Sequence, residues 1–193
     1  TLKVLYNSEV INSINFTYNQ MSGSGTVSNP YVITNPIQLN RIRDDLDAHY
    51  VLGNDIDLTD VTSEGGKLSL PSSTCPQGYG WEAINNFSGT LDGNGHTIKG
   101  MKQKNYISCV KDGKTLVAWN NNGNGLFGRV KGNATIKNLV LEDFDMMCQG
   151  EYCGLLVSKY ISNMNDSGGT DYDDKNVYLG TFENIVVKNS KTK

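Results

Sequence analysis

Four side chains lie in or beside short strand-like segments and are of types that do acid–base chemistry: Asp55, Asp57, Asp92 and His96. Two carboxylates flanking a sugar linkage can hydrolyse it, one as the acid and the other as the base or nucleophile. However, residues 92–96 read Asp-Gly-Asn-Gly-His, and in glycine-rich turns Asp and Asn side chains bond to the nearby backbone. We therefore predict a structural turn here and no catalytic residues in the chain.

Sequence patterns of other hydrolases and of lyases are missing. The chain has no Gly-x-Ser-x-Gly and no His-Glu-x-x-His segment, which argues against a serine hydrolase and a zinc peptidase. A lyase needs a basic residue to stabilise an enolate, and two of the three arginines, Arg41 and Arg43, fall on a predicted helix. We expect a protein that is not an enzyme, and a polysaccharide-active enzyme is the alternative.

Acidic and aromatic residues form a second candidate site between residues 160 and 174. Asp166, Asp171, Asp173 and Asp174 could offer oxygen ligands to Ca²⁺, although their spacing differs from an EF-hand loop. We expect a solvated acidic loop without a cofactor, and a Ca²⁺ site is the alternative. Exposed aromatic residues suit ligand contact because they offer a large area at little entropy cost. The predicted ligand-binding residues are Tyr160, Asp171, Tyr172, Asp173 and Asp174, together with Trp119 from the insertion at 102–124, for which the alternative is a role as an anchor of the core or of the insertion.

Four cysteines, an even number, are typical of an exported protein with disulfide bonds. Their spacing fits no zinc-binding pattern. Four cysteines allow three pairings, and we favour Cys75–Cys109 together with Cys148–Cys153, the second closing a small loop. The alternative is free thiols buried in the core.

The charge and composition of the chain argue against some classes of partner and indicate a cellular location. The net charge of −3 and the pI near 5.3 argue against nucleic acid, whose phosphates need a basic face. No apolar run reaches the roughly 18 residues of a membrane-spanning helix, so we expect no membrane insertion. The chain begins without Met and shows no signal peptide, as a mature fragment or an excised piece would. We expect an extracellular or cell-surface location.

A recurring five-residue sequence, called the phrase below, indicates the fold that would position these residues. Thr-Ile-Lys-Gly-Met at 97–101 returns as Thr-Ile-Lys-Asn-Leu at 135–139 and as Thr-Phe-Glu-Asn-Ile at 181–185. The copies begin 38 and 46 residues apart, near two turns of a coil. Short β-type segments at this spacing predict a solenoid, in which each coil covers the next.

Parallel coils place like residues over like residues, so the phrase also predicts which side chains stack. Asn138 and Asn184 should stack at a turn, where side-chain amides can hydrogen-bond from coil to coil. The predicted interior columns are Ile98 with Ile136 and Phe182, and Met101 with Leu139 and Ile185.

A helix, an extension and three insertions complete the predicted architecture. Asn35 and Pro36 suit a helix N-terminus, and apolar residues at near-helical spacing continue to about residue 47. We expect this helix, about 36–47, to cap the open end of a solenoid domain spanning 23–193. Residues 1–22 form an N-terminal extension. Loops are inserted at 60–80, 102–124 and 163–176, the second with a hairpin turn signal at 111–114.

Several segments resemble a β-helix module of bacterial surface proteins. Residues 25–58 are similar to its opening, and residues 87–98 and 125–128 are similar to its middle. Gly-Glu-Tyr-Cys-Gly-Leu-Leu-Val at 150–157 resembles the GLUG motif, with Ser158 where a final Gly is usual. Such modules occur in large adhesins and beside the peptidase domain of immunoglobulin A proteases. The resemblance implies an all-β, right-handed parallel β-helix.

The predicted function is that of a non-enzymatic adhesion, binding or spacer module of a larger bacterial surface protein. Its partners would be a host protein, a glycan or another chain of a surface assembly, bound through the insertions. Removing residues 163–176 should abolish partner binding and leave the fold intact. The alternatives are an accessory domain of an immunoglobulin A-type metalloprotease, a carbohydrate-active β-helix enzyme, and a minor pilin or autotransporter passenger fragment.

Overall fold

The computed structural model describes residues 2–6, 9–14, 20–75, 77–120, 123–148, 153–161 and 180–193. These residues form an all-β structure with one short α-helix, α1 (Pro36–Asn40), followed by a 3₁₀ helix (Arg41–Asp44). The strands are β1 (Leu2–Tyr6), β2 (Glu9–Ile14), β3 (Tyr31–Ile33), β4 (His49–Leu52), β5 (Ile56–Asp57), β6 (Thr90–Asp92), β7 (Thr97–Lys99), β8 (Lys102–Lys104), β9 (Tyr106–Lys111), β10 (Lys114–Trp119), β11 (Phe127–Lys131), β12 (Thr135–Glu142), β13 (Asp145–Met147), β14 (Val157–Ile161), β15 (Thr181–Lys188) and β16 (Lys191–Thr192).

The largest sheet is parallel and runs in the order β3-β4-β6-β12-β7-β5, with β15 also paired to β12. Strand β12 is long enough to pair with two shorter strands, β6 along residues 135–137 and β7 along residues 140–142. Strand β15 pairs with β12 over nearly its whole length. Two smaller parallel groups, β8-β13-β16 and β11-β14, lie in other sheets.

Register pairing places apolar residues over apolar residues and builds one continuous core. Leu91 and Ile136 are register partners, and both are fully buried. The rings of Phe87 and Phe127 stack with their centroids 4.8 Å apart, beside a fully buried Trp81. The indole N–H of Trp81 donates to the Leu126 carbonyl at 3.1 Å, so burial leaves this polar group satisfied.

The predicted interior columns are half right. Ile136 pairs with Phe182 and Leu139 with Ile185, as expected, although Phe182 on the outer strand is 44% exposed. Ile98 does not join Ile136, because β7 pairs with the second half of β12 and Ile98 lies beside Leu141. Met101 is likewise displaced, since its carbonyl accepts from the backbone N–H of Asp145.

The physical reason for the shift is that β6 and β7 both show the same alternation of outward polar and inward apolar residues. Any strand with one buried face shows that pattern, so similarity of the Thr-Ile-Lys phrase could not decide which of the two strands lies opposite residues 135–137. The turn at 93–96 separates β6 from β7, while β12 continues past the equivalent point as a single strand.

The predicted asparagine stack is confirmed and is longer than expected. Asn184 Nδ2 donates to Asn138 Oδ1 at 2.9 Å, and Asn138 Nδ2 donates to Asp92 Oδ1 at 3.0 Å. We call Asp92, Asn138 and Asn184 the Asx ladder. Both asparagines have positive φ (52° and 53°), a conformation that Asn tolerates better than most residues.

The helix begins as predicted and ends early. Asn35 Oδ1 accepts from the backbone N–H of Gln38 at 3.0 Å, and Pro36 occupies the first turn. The helical segment ends at Asp44 and not at residue 47, because Asp45 has an extended backbone (φ −148°, ψ 90°) and its N–H donates to the Ile42 carbonyl. Leu39 and Ile42 are fully buried in the main core, so this segment packs on the sheets.

The structure describes some of the predicted insertions and the N-terminal extension, and leaves others outside the described residues. Lys102–Lys104 forms β8 within a parallel group, so the part of 102–124 that leaves the parallel pairing begins after it. The predicted insertion at 163–176 lies outside the described residues. In the N-terminal extension, β1 and β2 pair antiparallel.

Candidate binding surface

Strands β9 and β10 form an antiparallel hairpin that departs from the parallel sheets. Asp112 and Gly113 join them, and both have positive φ (52° and 71°), which is the geometry of a type I′ hairpin turn. Asp-Gly is a preferred pair for that turn, and the hairpin confirms the turn signal in the sequence. The regular register, from Lys111 opposite Lys114 to Tyr106 opposite Trp119, gives the hairpin two distinct faces.

The inward face anchors the hairpin to the loop that precedes Trp81. Ile107 and Ala118 are buried against Cys75 and Tyr79 in a small second core. A disulfide joins Cys75 to Cys109 with a Cα–Cα distance of 5.7 Å. This bond confirms the first predicted pairing and holds the hairpin at a fixed place on the molecule.

The outward face of the hairpin carries no charged side chain. We define the outward face as the six residues that alternate with the anchoring ones: Tyr106, Ser108, Val110, Thr115, Val117 and Trp119. Val110 is 74% exposed, and Val117 and Trp119 are about half exposed (51% and 52%). The Tyr106 and Trp119 rings lie directly opposite each other with centroids 5.5 Å apart. Exposed apolar and aromatic side chains in one contiguous patch are typical of an interaction site.

A small cavity opens beside the outward face. Its volume is about 180 Å³, below the roughly 300–1,000 Å³ of pockets that hold drug-sized ligands, so it would take one small group. It is lined by Gln77, Lys104, Tyr106, Ile107, Ser108 and Met147. Tyr106 and Ser108 belong to both the cavity and the outward face, so one ligand could contact both.

The second disulfide lies immediately after the strand that ends at this cavity. Cys148 pairs with Cys153 at a Cα–Cα distance of 6.2 Å, which confirms the second predicted pairing. Cys148 directly follows Met147, a cavity residue and the last residue of β13. Both disulfides therefore constrain segments that contribute to the candidate surface.

The aspartates considered for catalysis are held by structural contacts. Asp55 Oδ1 accepts from the backbone N–H of Thr97 at 2.9 Å and lies 3.2 Å from His96 Nδ1. The Thr97 bond, followed by the His96 contact, lowers the pKa of Asp55. Bonds from the side chain and backbone of Thr59, followed by the Lys99 ammonium 3.1 Å away, lower the pKa of Asp57.

Asp92 is the most embedded of the three aspartates. Partial burial would raise its pKa, but the bonds from Asn138, from the Asn94 backbone and from Lys137 outweigh this, and the pKa is lowered. The Asn94 N–H lies 2.8 Å from Asp92 Oδ1, as expected for the predicted Asx turn. A carboxylate with a lowered pKa is a poor general acid at neutral pH, so these contacts favour the structural interpretation.

The structure brings one predicted ligand-binding residue into the candidate surface, namely Trp119. Tyr160 lies in β14, and only its backbone is described. The remaining predicted ligand and calcium residues lie outside the described part of the chain: Asp166, Asp171, Tyr172, Asp173 and Asp174. Within the described ranges, no group of His, Cys, Asp or Glu side chains is arranged to hold a metal ion.

Sequence reasoning missed most of the outward face. Tyr106, Val110 and Val117 were not singled out, although their alternation with Ile107 and Ala118 around an Asp-Gly turn is visible in the sequence. The missing information was which side of the hairpin the disulfide would bury. Gln77 and Lys104 could not be found in this way, because they reach the cavity from other segments.

Comparisons with known proteins give two partial relatives. The chain is 34% identical over 125 residues to a protein described as a putative Gly-rich membrane protein from Evansella cellulosilytica, covering 62% of this chain and 12% of that protein. It is 32% identical over 125 residues to halomucin from Haloquadratum walsbyi, covering 63% of this chain and 1% of that protein. The chain thus spans a small part of the length of both relatives.

No family model and no solved structure matches the chain. The resemblance to GLUG-containing modules stays a prediction. Within the described ranges, no helix combines the length and the apolar composition needed to cross a membrane.

Proposed function

We propose that the chain is a non-enzymatic, extracellular binding module of a larger surface protein, and that the outward face of the hairpin is its recognition surface. The observation that carries this proposal is the contrast between the two hairpin faces. One face is buried and tied by the Cys75–Cys109 disulfide, whereas the other exposes Val110, Val117 and Trp119 without any charge.

The energetics of such a face favour contact with a partner. Large exposed aromatic side chains bury much area at little entropy cost, and the Tyr106–Trp119 pair is already ordered by its cross-strand contact. The disulfide and the type I′ turn hold the hairpin in place before a partner arrives, and preorganisation improves affinity by reducing the entropy lost on binding.

The scaffold beneath the hairpin is proposed to be a right-handed parallel β-helix capped by the helical segment at Pro36–Asp44. The support for this is the parallel register of β4, β6, β12 and β15, together with the Asx ladder. Successive members of that ladder are 46 residues apart and hydrogen-bond directly, which supports one coil of 46 residues between them. Stacked coils would make a stiff spacer that holds the hairpin away from the rest of a longer protein.

An extracellular or cell-surface location is supported by two observations. Disulfides persist in oxidising compartments, and the described residues contain two of them. The relatives are described as a Gly-rich membrane protein and as halomucin, descriptions that suit proteins of the cell surface. We propose that the present chain works in the same setting.

An array of immobilised glycans and matrix proteins tests the recognition surface. A double variant, Trp119→Ala with Val117→Ser, removes two exposed side chains of the outward face. Val27→Ser is the matched control, since Val27 is 80% exposed and lies outside the hairpin. We expect the double variant to lose about tenfold or more in affinity for the ligands that the native chain binds, because interface aromatic residues are frequent hot spots.

The control should bind like the native chain, and both variants should give the native circular dichroism spectrum. The proposal is overturned if the native chain binds nothing on the array, or if the folded double variant binds as tightly as the native chain.

A further inference from the structure

We propose that the outward face and the cavity beside it recognise an acidic glycan, with one uronate-type sugar residue in the cavity. This inference rests on the function proposed above and specifies its ligand. Three features of the surface lead to it: its local charge, the lining of the cavity, and the aromatic pair at its edge.

The hairpin region has a charge opposite in sign to that of the whole chain. Residues 102–119 contain four lysines and one aspartate, a net charge of +3, while the chain as a whole carries −3. Lys104, Lys111 and Lys114 have no ion-pair partner among the described carboxylates, in contrast to Lys99 and Lys137 on the Asp55–Asp92 side. An uncharged patch bordered by unpaired ammonium groups attracts an anionic partner.

The cavity combines one cation with apolar and polar walls. Lys104 is exposed and lines it, so its ammonium can meet a carboxylate on a bound group. Ile107 and Met147 supply apolar wall, and Ser108 supplies a hydroxyl. Gln77 also lines the cavity, and its Oε1 is buried without a hydrogen-bond partner in the described structure.

The unpaired Gln77 oxygen points to a ligand that donates hydrogen bonds. A buried acceptor without a donor is costly, and a ligand hydroxyl that reaches Gln77 Oε1 would satisfy it. A sugar ring meets all these requirements at once, because it carries hydroxyl donors around an apolar C–H face. A uronate adds the carboxylate that suits Lys104.

The aromatic pair extends the site beyond the cavity. Tyr106 borders the cavity and lies opposite Trp119, so a sugar next to the one in the cavity would lie over a ring surface about half exposed to solvent. Thr115 and Ser108 offer hydroxyls on the same face. The cavity volume of about 180 Å³ suits one residue of a chain and not a folded protein segment. A sugar also offers hydroxyl donors for Gln77 Oε1, which an ionised aspartate or glutamate side chain lacks, so a glycan chain is favoured over an acidic peptide.

Titration with three probes of matched length tests the inference: an oligogalacturonate hexamer, its fully methyl-esterified form and a hexaglutamate peptide. We expect the native chain to bind oligogalacturonate at low salt, about tenfold or more tighter than the neutral ester, since the ester lacks the charge-assisted bond to Lys104. Hexaglutamate should bind more weakly than oligogalacturonate, and raising the salt concentration should weaken the binding of oligogalacturonate.

Two variants and a control locate the interaction. Lys104→Gln should weaken oligogalacturonate binding about tenfold and leave binding of the ester unchanged, and Trp119→Ala should weaken binding of both sugars. Lys67→Gln, which removes an exposed lysine that does not line the cavity, should bind all probes like the native chain.

Equal binding of the ester and the acid, equal binding of hexaglutamate and oligogalacturonate, or an unchanged Lys104→Gln variant would each overturn the inference. So would absence of binding to any sugar probe. If the sugar probes fail while array binding still depends on Trp119 and Val117, the acidic-glycan inference falls and the recognition surface stands. If array binding is independent of both residues, the proposed function falls as well.

Discussion

At the scale of single residues, Asp92 shows why a residue suited to catalysis can serve as a structural element. Its carboxylate accepts from the Asn94 backbone and from Asn138, and it lies 3.4 Å from the Lys137 ammonium. One side chain thus closes a turn within the chain and links two strands of the parallel sheet. A general acid must hold a proton at neutral pH, whereas these contacts favour the ionised Asp92 carboxylate as an acceptor.

Two substitutions of Asp92 separate its roles. Asp92→Asn keeps an oxygen that accepts both hydrogen bonds and loses the contact with Lys137, so we expect a loss of under about 1 kcal/mol in the free energy of unfolding. Asp92→Ala removes the turn bond and the first step of the Asx ladder, and should cost about 1–3 kcal/mol. Chemical denaturation of both variants checks this, and equal losses would contradict the account of the ladder.

The lowered pKa values of Asp55, Asp57 and Asp92 predict how stability depends on pH. A carboxyl whose pKa is lower in the folded state adds stability above its unfolded pKa of about 4, and this is lost as the pH falls through the folded pKa. The free energy of unfolding should therefore stay level from about pH 7 to 5 with respect to these groups and decline below about pH 4.

Denaturant midpoints measured across that range test the expected decline. A combined Asp55→Asn and Asp57→Asn variant should show a shallower decline below about pH 4, because two of the titrating groups are gone. An equally steep acid limb in this variant would show that the contacts to Thr97 and Thr59 do not persist in solution.

At the scale of elements, the hairpin is the element that was predicted most accurately from the sequence. The turn signal at 111–114 predicted it, and the Asp-Gly pair there has the backbone angles that such a pair favours. The register of β7 shows the opposite case. The Thr-Ile-Lys phrase marks a strand with one buried face, but pairing also depends on where each turn falls, and the short turn at 93–96 has no counterpart within β12.

The Cys75–Cys109 bond should determine the position of the hairpin. It closes a loop with a sequence separation of 34, for which loop entropy gives a stabilisation of about 3–4 kcal/mol. A Cys75→Ser and Cys109→Ser double variant should lose about that much in the free energy of unfolding. Its β9 and β10 amides should exchange hydrogen faster than those of β12, as measured by mass spectrometry.

Cys148→Ser with Cys153→Ser is the matched control, because that bond closes a loop with a separation of only 5 and should stabilise less. Unchanged protection of β9 and β10 in the first variant would contradict the anchoring role of the Cys75–Cys109 bond.

At the scale of the whole molecule, the sequence predicted the all-β class, both disulfides and the Asx stacking, because each has a local or pairwise signal. Most of the candidate surface could not be predicted from the sequence. Its cavity joins Gln77, Lys104 and Met147, which come from three separate segments, and only the folded chain brings them beside Tyr106. Trp119 was selected as an exposed aromatic candidate, but its partner across the hairpin needed the register.

The two sides of the chain differ in how far their charged groups are paired, and this difference favours one side for contact with a partner. Asp57 and Asp92 are paired by Lys99 and Lys137, and Asp55 lies beside His96, whereas the hairpin side combines an uncharged face with lysines that have no ion-pair partner among the described residues. Surfaces whose charges are already paired have less to gain from a partner than surfaces whose groups are unsatisfied. This contrast supports the proposal that a partner is recognised at the hairpin.

Hydrogen–deuterium exchange of the whole chain, with and without saturating oligogalacturonate or the strongest array ligand, tests the central claim most directly. The account predicts slower exchange on binding at residues 104–119, with little change in β4, β6 and β7. Protection confined to the face that carries Asp55 and Asp92, with no change in β9 and β10, would contradict it.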